Sequence, residues 1–229
     1  MLQYQDGDTD PEKPQHFARL EAQNFELLFT GCPVERYEPG QHLFMQEDAA
    51  THVYGVISGK VEISIYSPGG RKLVANIERP QSLVGEIGAL DGGPRTATAT
   101  CLSECELVSV SRTQLFDRIG KHPDLARAVI ALLCARLRWV SSEFGDQALL
   151  KIEARLAKRL LYLSSFMADA EGWISISQSD LADFLGATRE SVNKTLHDWR
   201  AHALIETRRG AIRVSNEATL AELCELEEG

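Results

Sequence analysis

No run of about 18 apolar residues occurs in this 229-residue chain, so no membrane-spanning helix is expected. Basic charge is scarce too: 24 Lys and Arg stand against 33 Asp and Glu, a net −9. That balance argues against indiscriminate nucleic-acid binding, so any contact with DNA has to come from a local basic patch. No GxxxxGK[ST] loop is present, which excludes the usual cradle for triphosphate hydrolysis. The five cysteines, Cys32, Cys101, Cys105, Cys134 and Cys224, are odd in number and scattered. They fit reduced thiols in a cytoplasm better than a disulfide framework. Six histidines (His16, His42, His52, His122, His197, His202) form no spaced metal or triad pattern. The opening MLQYQD has neither a basic nor an apolar segment, so no signal peptide is expected and a cytoplasmic location is. What remains, 44% hydrophobic and 25% charged, is ordinary for a globular chain with one large core or two small ones.

The texture changes along the chain. Residues 1–14 are polar and acidic, contain Pro11 and Pro14, and read as a flexible tail. Phe17, Leu20, Phe25 and Leu28 then suggest a short helix. From about 34 to 112, runs such as VYGVISGKVEISIY and TATATCLSECELVSV alternate with period two, and turns such as Pro68-Gly69-Gly70 separate them. Short strands punctuated this way predict a small barrel or jelly roll. From 123 to 145 the period becomes helical: Leu125, Val129, Leu132, Leu133, Arg136, Val140 and Phe144 fall close to a 3–4 spacing, with Pro123 suited to the N-terminus. This helix is expected to pack on a twin in a homodimer; burial on its own barrel is the other reading. The acidic end, Glu217 to Glu228, reads as a partly solvated helix.

The run SQSDLADFLGATRESVNKTLHDWRAHALIE predicts two helices around a turn. Ser177 with Asp180, and Thr188 with Ser191, are candidate N-caps, and Gly186 sits where the chain must turn. Leu181, Ala182, Phe184 and Leu185 supply the buried side of the first helix; Val192, Leu196 and Trp199 that of the second. Arg189, Glu190, Asn193 and Lys194 are then left facing outward near the start of the second helix, the geometry of a helix–turn–helix whose second helix enters the major groove. Arg can bond guanine bidentately, Glu can accept from cytosine N4, and Lys can reach guanine or phosphate. Residues 188–213 hold six basic residues (Arg189, Lys194, Arg200, Arg208, Arg209, Arg213) against three acids (Glu190, Asp198, Glu206). An acidic chain thus carries a basic patch here, as binding to phosphates requires. Arg208-Arg209-Gly210 reads as the tip of a wing on the DNA backbone.

GEIGALDGGPRTA, Gly85–Ala97, places Arg95 nine residues after Glu86, with five of thirteen positions Gly or Pro. A Gly-rich turn lets backbone N–H groups converge on an anion, and an Arg fork pairs with a phosphate. A carboxylate cannot bind that phosphate but can accept from a sugar hydroxyl. The trio implies a nucleotide bound at one phosphate; a structural Glu86–Arg95 ion pair is the alternative. Arg95 is expected to be a surface-pocket residue rather than core.

GEIGALDGGPRTATA resembles the phosphate-binding cassette of cyclic-nucleotide-binding domains. With the β-rich region, the long helix and GATRESVNKTL it resembles the Crp/Fnr family of bacterial transcription regulators, over roughly residues 17–215. The resemblance implies an α+β architecture: a tail over 1–14, a β-roll (jelly-roll) cyclic-nucleotide-binding domain over 15–122, a dimerisation helix over 123–147 and a winged helix–turn–helix over 148–229. It implies that Glu86 binds the ribose 2′-hydroxyl, that the Gly85 region, with Ile87, lends backbone amides, and that Arg95 pairs with the cyclic phosphate beside Thr96 and Ala97. Arg189, Glu190 and Lys194 match the base-reading positions, Lys194 replacing the family's Arg, and a TGTGA-like half-site follows. Thr188, Asn193, Arg208 and Arg209 complete the expected DNA contacts.

The base reader stays open. Enteric members use a Thr-Ser pair on the long helix. Ungapped alignment through ALLKIEARLAKRLL puts Val140 and Ser141 there; a shift of one puts Ser141 and Ser142. Thr96 follows the arginine as in cGMP-selective kinase domains. The expected effector is cAMP, with cGMP as alternative, and no cofactor or metal. The implied partners are promoter DNA, a second copy of the chain and RNA polymerase, with no membrane. A ligand-independent or redox-tuned regulator is the second functional reading. An early cluster of cysteines does not support it, because Cys32 stands alone there. An enzyme of the Cys/His hydrolase type is the third.

Overall fold

The computed structural model describes residues 19–226; the expected tail, Phe17 and the last three residues lie outside them. In chain order the elements are α1 (Ala22–Phe29), β1 (Val34–Tyr37), β2 (His42–Phe44), β3 (His52–Ser58), β4 (Val61–Tyr66), β5 (Lys72–Glu78), β6 (Leu83–Val84), α2 (Glu86–Asp91), β7 (Thr98–Cys101), β8 (Cys105–Ser111), α3 (Arg112–Lys121), α4 (Pro123–Leu149), α5 (Ile152–Met167), β9 (Trp173–Ser175), α6 (Gln178–Leu185), α7 (Arg189–Ala201), β10 (Ile205–Arg208), β11 (Ala211–Val214) and α8 (Glu217–Leu223).

The period-two runs form two four-stranded sheets, ordered β1-β8-β3-β6 and β2-β7-β4-β5, with antiparallel neighbours. Alternation puts Val56, Val61, Val84, Ala99 and Leu107 into a buried cluster of this β-roll. A second cluster joins the roll to its helices, with Leu28 of α1, Leu115 of α3, and Leu125, Val129 and Leu132 of α4 against Val53 and Val110. Fully burying one such aliphatic side chain contributes about 1.5–3 kcal/mol. Ser111 and Gln114 form a capping box that starts α3 where β8 ends.

The α4 stripe divides between two faces. Its N-terminal half buries Leu125, Val129 and Leu132 on the β-roll, while Ile130, Leu137 and Phe144 stand 59%, 66% and 77% exposed. These three recur at seven-residue intervals, the spacing of one face of a heptad, beside the residues that pack on the roll. Among the described residues, no helix is long and apolar enough to cross a membrane.

The C-terminal half has its own core: Leu156, Leu160 and Leu163 of α5, Leu181 and Leu185 of α6, and Val192, Leu196 and Trp199 of α7. Val74 and Ile77 of β5 belong to this same cluster. Strand β5 therefore packs outward against the helical half while its other residues stay with the roll.

Candidate functional site

Two regions gather the predicted residues. The first lies where β5, β6, α2 and α4 meet, around a cavity of about 220 Å³. Gly85 caps α2 with φ +78°, and a Cβ there would lie 2.3 Å from Arg95 Nη1 and 2.9 Å from the Phe44 ring. Glycine is thus required both for the left-handed backbone and for the arginine lying under it.

Arg95 corrects one expectation: it is 3% exposed and belongs to the interior. Its Nη1 donates to Gly85 O at 2.6 Å, its Nη2 to His52 O at 2.7 Å, and its guanidinium lies 4.0 Å over the Phe44 ring. The Nε–H is buried with no hydrogen-bond partner. Burial pulls the Arg95 pKa below the ordinary arginine value, with Tyr54, Glu86 and Asp48 opposing. The expected alternative, a Glu86–Arg95 ion pair, is not what forms.

Glu86, 2% exposed, instead accepts from Arg136 of α4. Arg136 also donates to Glu78 Oε1 at 2.9 Å and to Leu83 O at 2.8 Å. Burial acts to lower the Arg136 pKa, but Glu78 and Glu86 outweigh it, and the guanidinium ends above its usual value.

The cavity is lined by Gly85, Glu86, Ile87, Arg95, Thr96, Ala97 and Val140, all predicted, and also by Phe44, Asn76, Glu78, Arg136 and Trp139, which the sequence did not single out as site residues. Arg136 was visible as a cation in an apolar stripe, and that was the available signal. Ser141 donates to Leu137 O at 2.9 Å along its own helix. Ser142 lines a different cleft, of about 510 Å³, between α4 and α5. That cleft is the larger of the two; two of its four cations are paired with carboxylates, Arg159 with Glu143 at 2.6 Å and Lys158 with Asp146 at 2.8 Å.

The second region is the α6–α7 pair and its hairpin. Asp180 N donates to Ser177 Oγ at 3.1 Å, and Ser191 N donates to Thr188 Oγ1 at 3.2 Å, so both caps form as the sequence indicates. Gly186 turns the chain between the helices with φ +60°. Thr188, Arg189, Glu190 and Lys194 are exposed along one end of α7. Asn193 is half-buried, and its Oδ1 is enclosed without a hydrogen-bond partner, in a cleft with Gln178, His197 and Thr207. Arg208 lies 4.2 Å over Trp173 and 3.6 Å from Asp169, so part of its charge is engaged; Arg209 stands beside it at the hairpin tip. A cleft of about 450 Å³ is lined by Arg189, Arg208 and Arg209 with Ser177 and Ser179 at the start of α6.

Cys101 and Cys105 are buried, and burial, then the Cys105 hydrogen bond, push the Cys101 thiol up to about 12. Such a thiol stays protonated and unreactive. Among the described residues, no group of three or more His, Cys, Asp or Glu could hold a metal ion.

Comparison with known proteins agrees with this layout. Residues 34–122 match the cyclic nucleotide-binding domain, and residues 154–223 the Crp-like helix-turn-helix domain. Over 194 residues the chain is 31% identical to the CRP-like cAMP-activated global transcriptional regulator of Mycobacterium tuberculosis, covering 82% of this chain and 86% of that protein. Over 207 residues it is 29% identical to the cyclic AMP receptor protein of Thermus thermophilus, covering 90% and 95%. Its fold resembles that of the c-di-GMP-responsive global regulator CLP of Xanthomonas campestris: TM-score 0.75, 24% identity, 85% of this chain and 99% of that one.

Proposed function

Because this chain belongs to the CRP-like family of transcription regulators, with a cyclic nucleotide-binding domain and a Crp-like helix-turn-helix, we propose that cAMP, in preference to cGMP, regulates its binding to promoter DNA as a homodimer. It is a regulator and not an enzyme, as its relatives are. The observation that carries the ligand reading is Arg95. It is a buried guanidinium that bonds two carbonyls and, among the described residues, has no carboxylate within ion-pair distance. A buried guanidinium with no carboxylate in direct contact is costly, and a cyclic phosphate in the cavity supplies that contact.

In this reading Arg95 holds the phosphate, with Gly85 and Ile87 lending amides and Thr96 and Ala97 beside it. Glu86, already held by Arg136, accepts from the ribose 2′-hydroxyl. The base lies toward Val140. Val140 brings no hydrogen-bonding group, so Ser141, exposed on α4, is the candidate for supplying one from the second subunit. Two α4 helices pair through Ile130, Leu137 and Phe144, and the domain bounds follow the expected 15–122, 123–147 and 148–229. The preference for cAMP is supported by relatives named as cAMP-activated.

The deciding experiment titrates the purified protein with cAMP and with cGMP, each with and without a DNA duplex selected from a random pool. Tighter binding of cAMP and a cAMP-dependent gain in DNA affinity are expected. A larger response to cGMP reverses the base assignment, and silence toward both removes the ligand reading altogether.

On the DNA side, α7 enters the major groove with Arg189, Glu190 and Lys194 reading bases, with Thr188 and Asn193 beside them, and Arg208 and Arg209 touch the backbone. Arg189→Ala is expected to weaken specific binding by about 1–3 kcal/mol and to relax specificity at one base pair. An equal loss on random DNA in a gel shift would reduce Arg189 to a phosphate contact.

A further inference from the structure

Strand β5 is a wall shared by the cavity and the helical half. Its Val74 and Ile77 pack into the core of α5, α6 and α7, while Asn76 and Glu78 line the cavity. A continuous chain of polar contacts crosses this wall. Arg136 bonds Glu86 and donates to Glu78 Oε1 at 2.9 Å. Asn76 Nδ2 donates to the same Oε1 at 3.1 Å, and Tyr162 Oη of α5 donates to Asn76 Oδ1 at 3.0 Å.

We infer that Glu78, Asn76 and Tyr162 are positioning residues that couple the cavity to the DNA-binding half, through the chain Glu86–Arg136–Glu78–Asn76–Tyr162. The inference rests on the reading of the cavity as a cyclic-nucleotide site.

Every member has a determined role. Ile77 N–H also donates to Asn76 Oδ1, at 2.9 Å, and a backbone N–H can only donate. That fixes the amide's orientation, so its nitrogen must face Glu78, which as a carboxylate can only accept. Burial raises the Tyr162 pKa, which keeps the hydroxyl protonated as the chain requires. At the cavity end, one planar guanidinium grips both Glu86 and Glu78, so a movement of one is felt by the other. The apolar packing of Val74 and Ile77 is non-directional and tolerates sliding. The part-buried hydrogen bond between Asn76 and Tyr162 is directional and does not, because an ångström of displacement breaks it. The chain therefore gives the placement of α5 a discrete preference that a nucleotide drawing on Glu86 can bias.

The test is Tyr162→Phe in the full-length protein. It removes one hydroxyl and keeps the ring, whose centroid lies 4.8 Å from that of Phe166. The quantity measured is the ratio of DNA affinities with and without saturating cAMP, on a duplex selected by the unsubstituted protein. The ratio is expected to fall by roughly three- to tenfold, inside the span expected for a residue on a coupling network. By linkage, the effect of DNA on cAMP affinity must fall by the same factor; a merely structural role would lower stability and leave this ratio unchanged. Asn76→Ala should lower the ratio similarly, and the double variant should lower it no further than either alone. A ratio unchanged within about twofold in Tyr162→Phe, or additive losses in the double variant, would overturn the coupling. Failure of the unsubstituted protein to respond to cAMP or cGMP would instead overturn the cavity reading, and this inference with it.

Discussion

Arg95→Ala is expected to abolish measurable cyclic-nucleotide binding in calorimetry, a loss of about 2–5 kcal/mol, or at least roughly thirtyfold in Kd. The guanidinium is the cation buried beside the Gly85 turn, and its loss leaves a phosphate there without a partner. The same substitution should also lower stability by about 1–3 kcal/mol, because Gly85 O and His52 O lose their donor. The face of Phe44 loses its cover at the same time. Arg95→Lys separates the two effects: it restores a charge but not the fork, so stability should recover further than affinity. Full-strength binding by Arg95→Ala would refute the assignment of this cavity.

Arg136→Ala is expected to destabilise the fold by about 3–5 kcal/mol, read as a fall in denaturant midpoint at constant slope. Glu78 and Glu86 are 6% and 2% exposed, and one guanidinium serves both. Without it two nearby carboxylates remain in the interior with no cation between them. Adding Glu78→Gln to Arg136→Ala should recover part of the loss, because one unpaired charge is removed. No recovery would mean that packing of the arginine stem, rather than its charge, carries the stability.

The sequence made the cassette and the helix–turn–helix legible because both are written in short, local spacing. The caps at Ser177 and Thr188 and the turn at Gly186 are each set by neighbours a few residues away. The partner of Glu86 was not legible: it comes from α4, fifty residues on, and hydrophobic periodicity masked it as one more position in a stripe. The stripe itself merged two faces, since Leu125, Val129 and Leu132 pack on the roll while Ile130, Leu137 and Phe144 face away. Asn76 and Glu78 carry no motif at all. Their place in the site depends on how β5 lies between the roll and α5, which period-two alternation cannot convey.

That double-sided strand has an evolutionary consequence. Val74 and Ile77 hold the DNA-binding half, while Asn76 and Glu78, interleaved among them, line the pocket. On the proposed coupling, a mutation on β5 selected for a new effector is expected to shift the basal activity of the regulator in the same step. Drift in ligand preference and drift in promoter set point would then be genetically linked, and a lineage changing its signal would re-tune its targets as well.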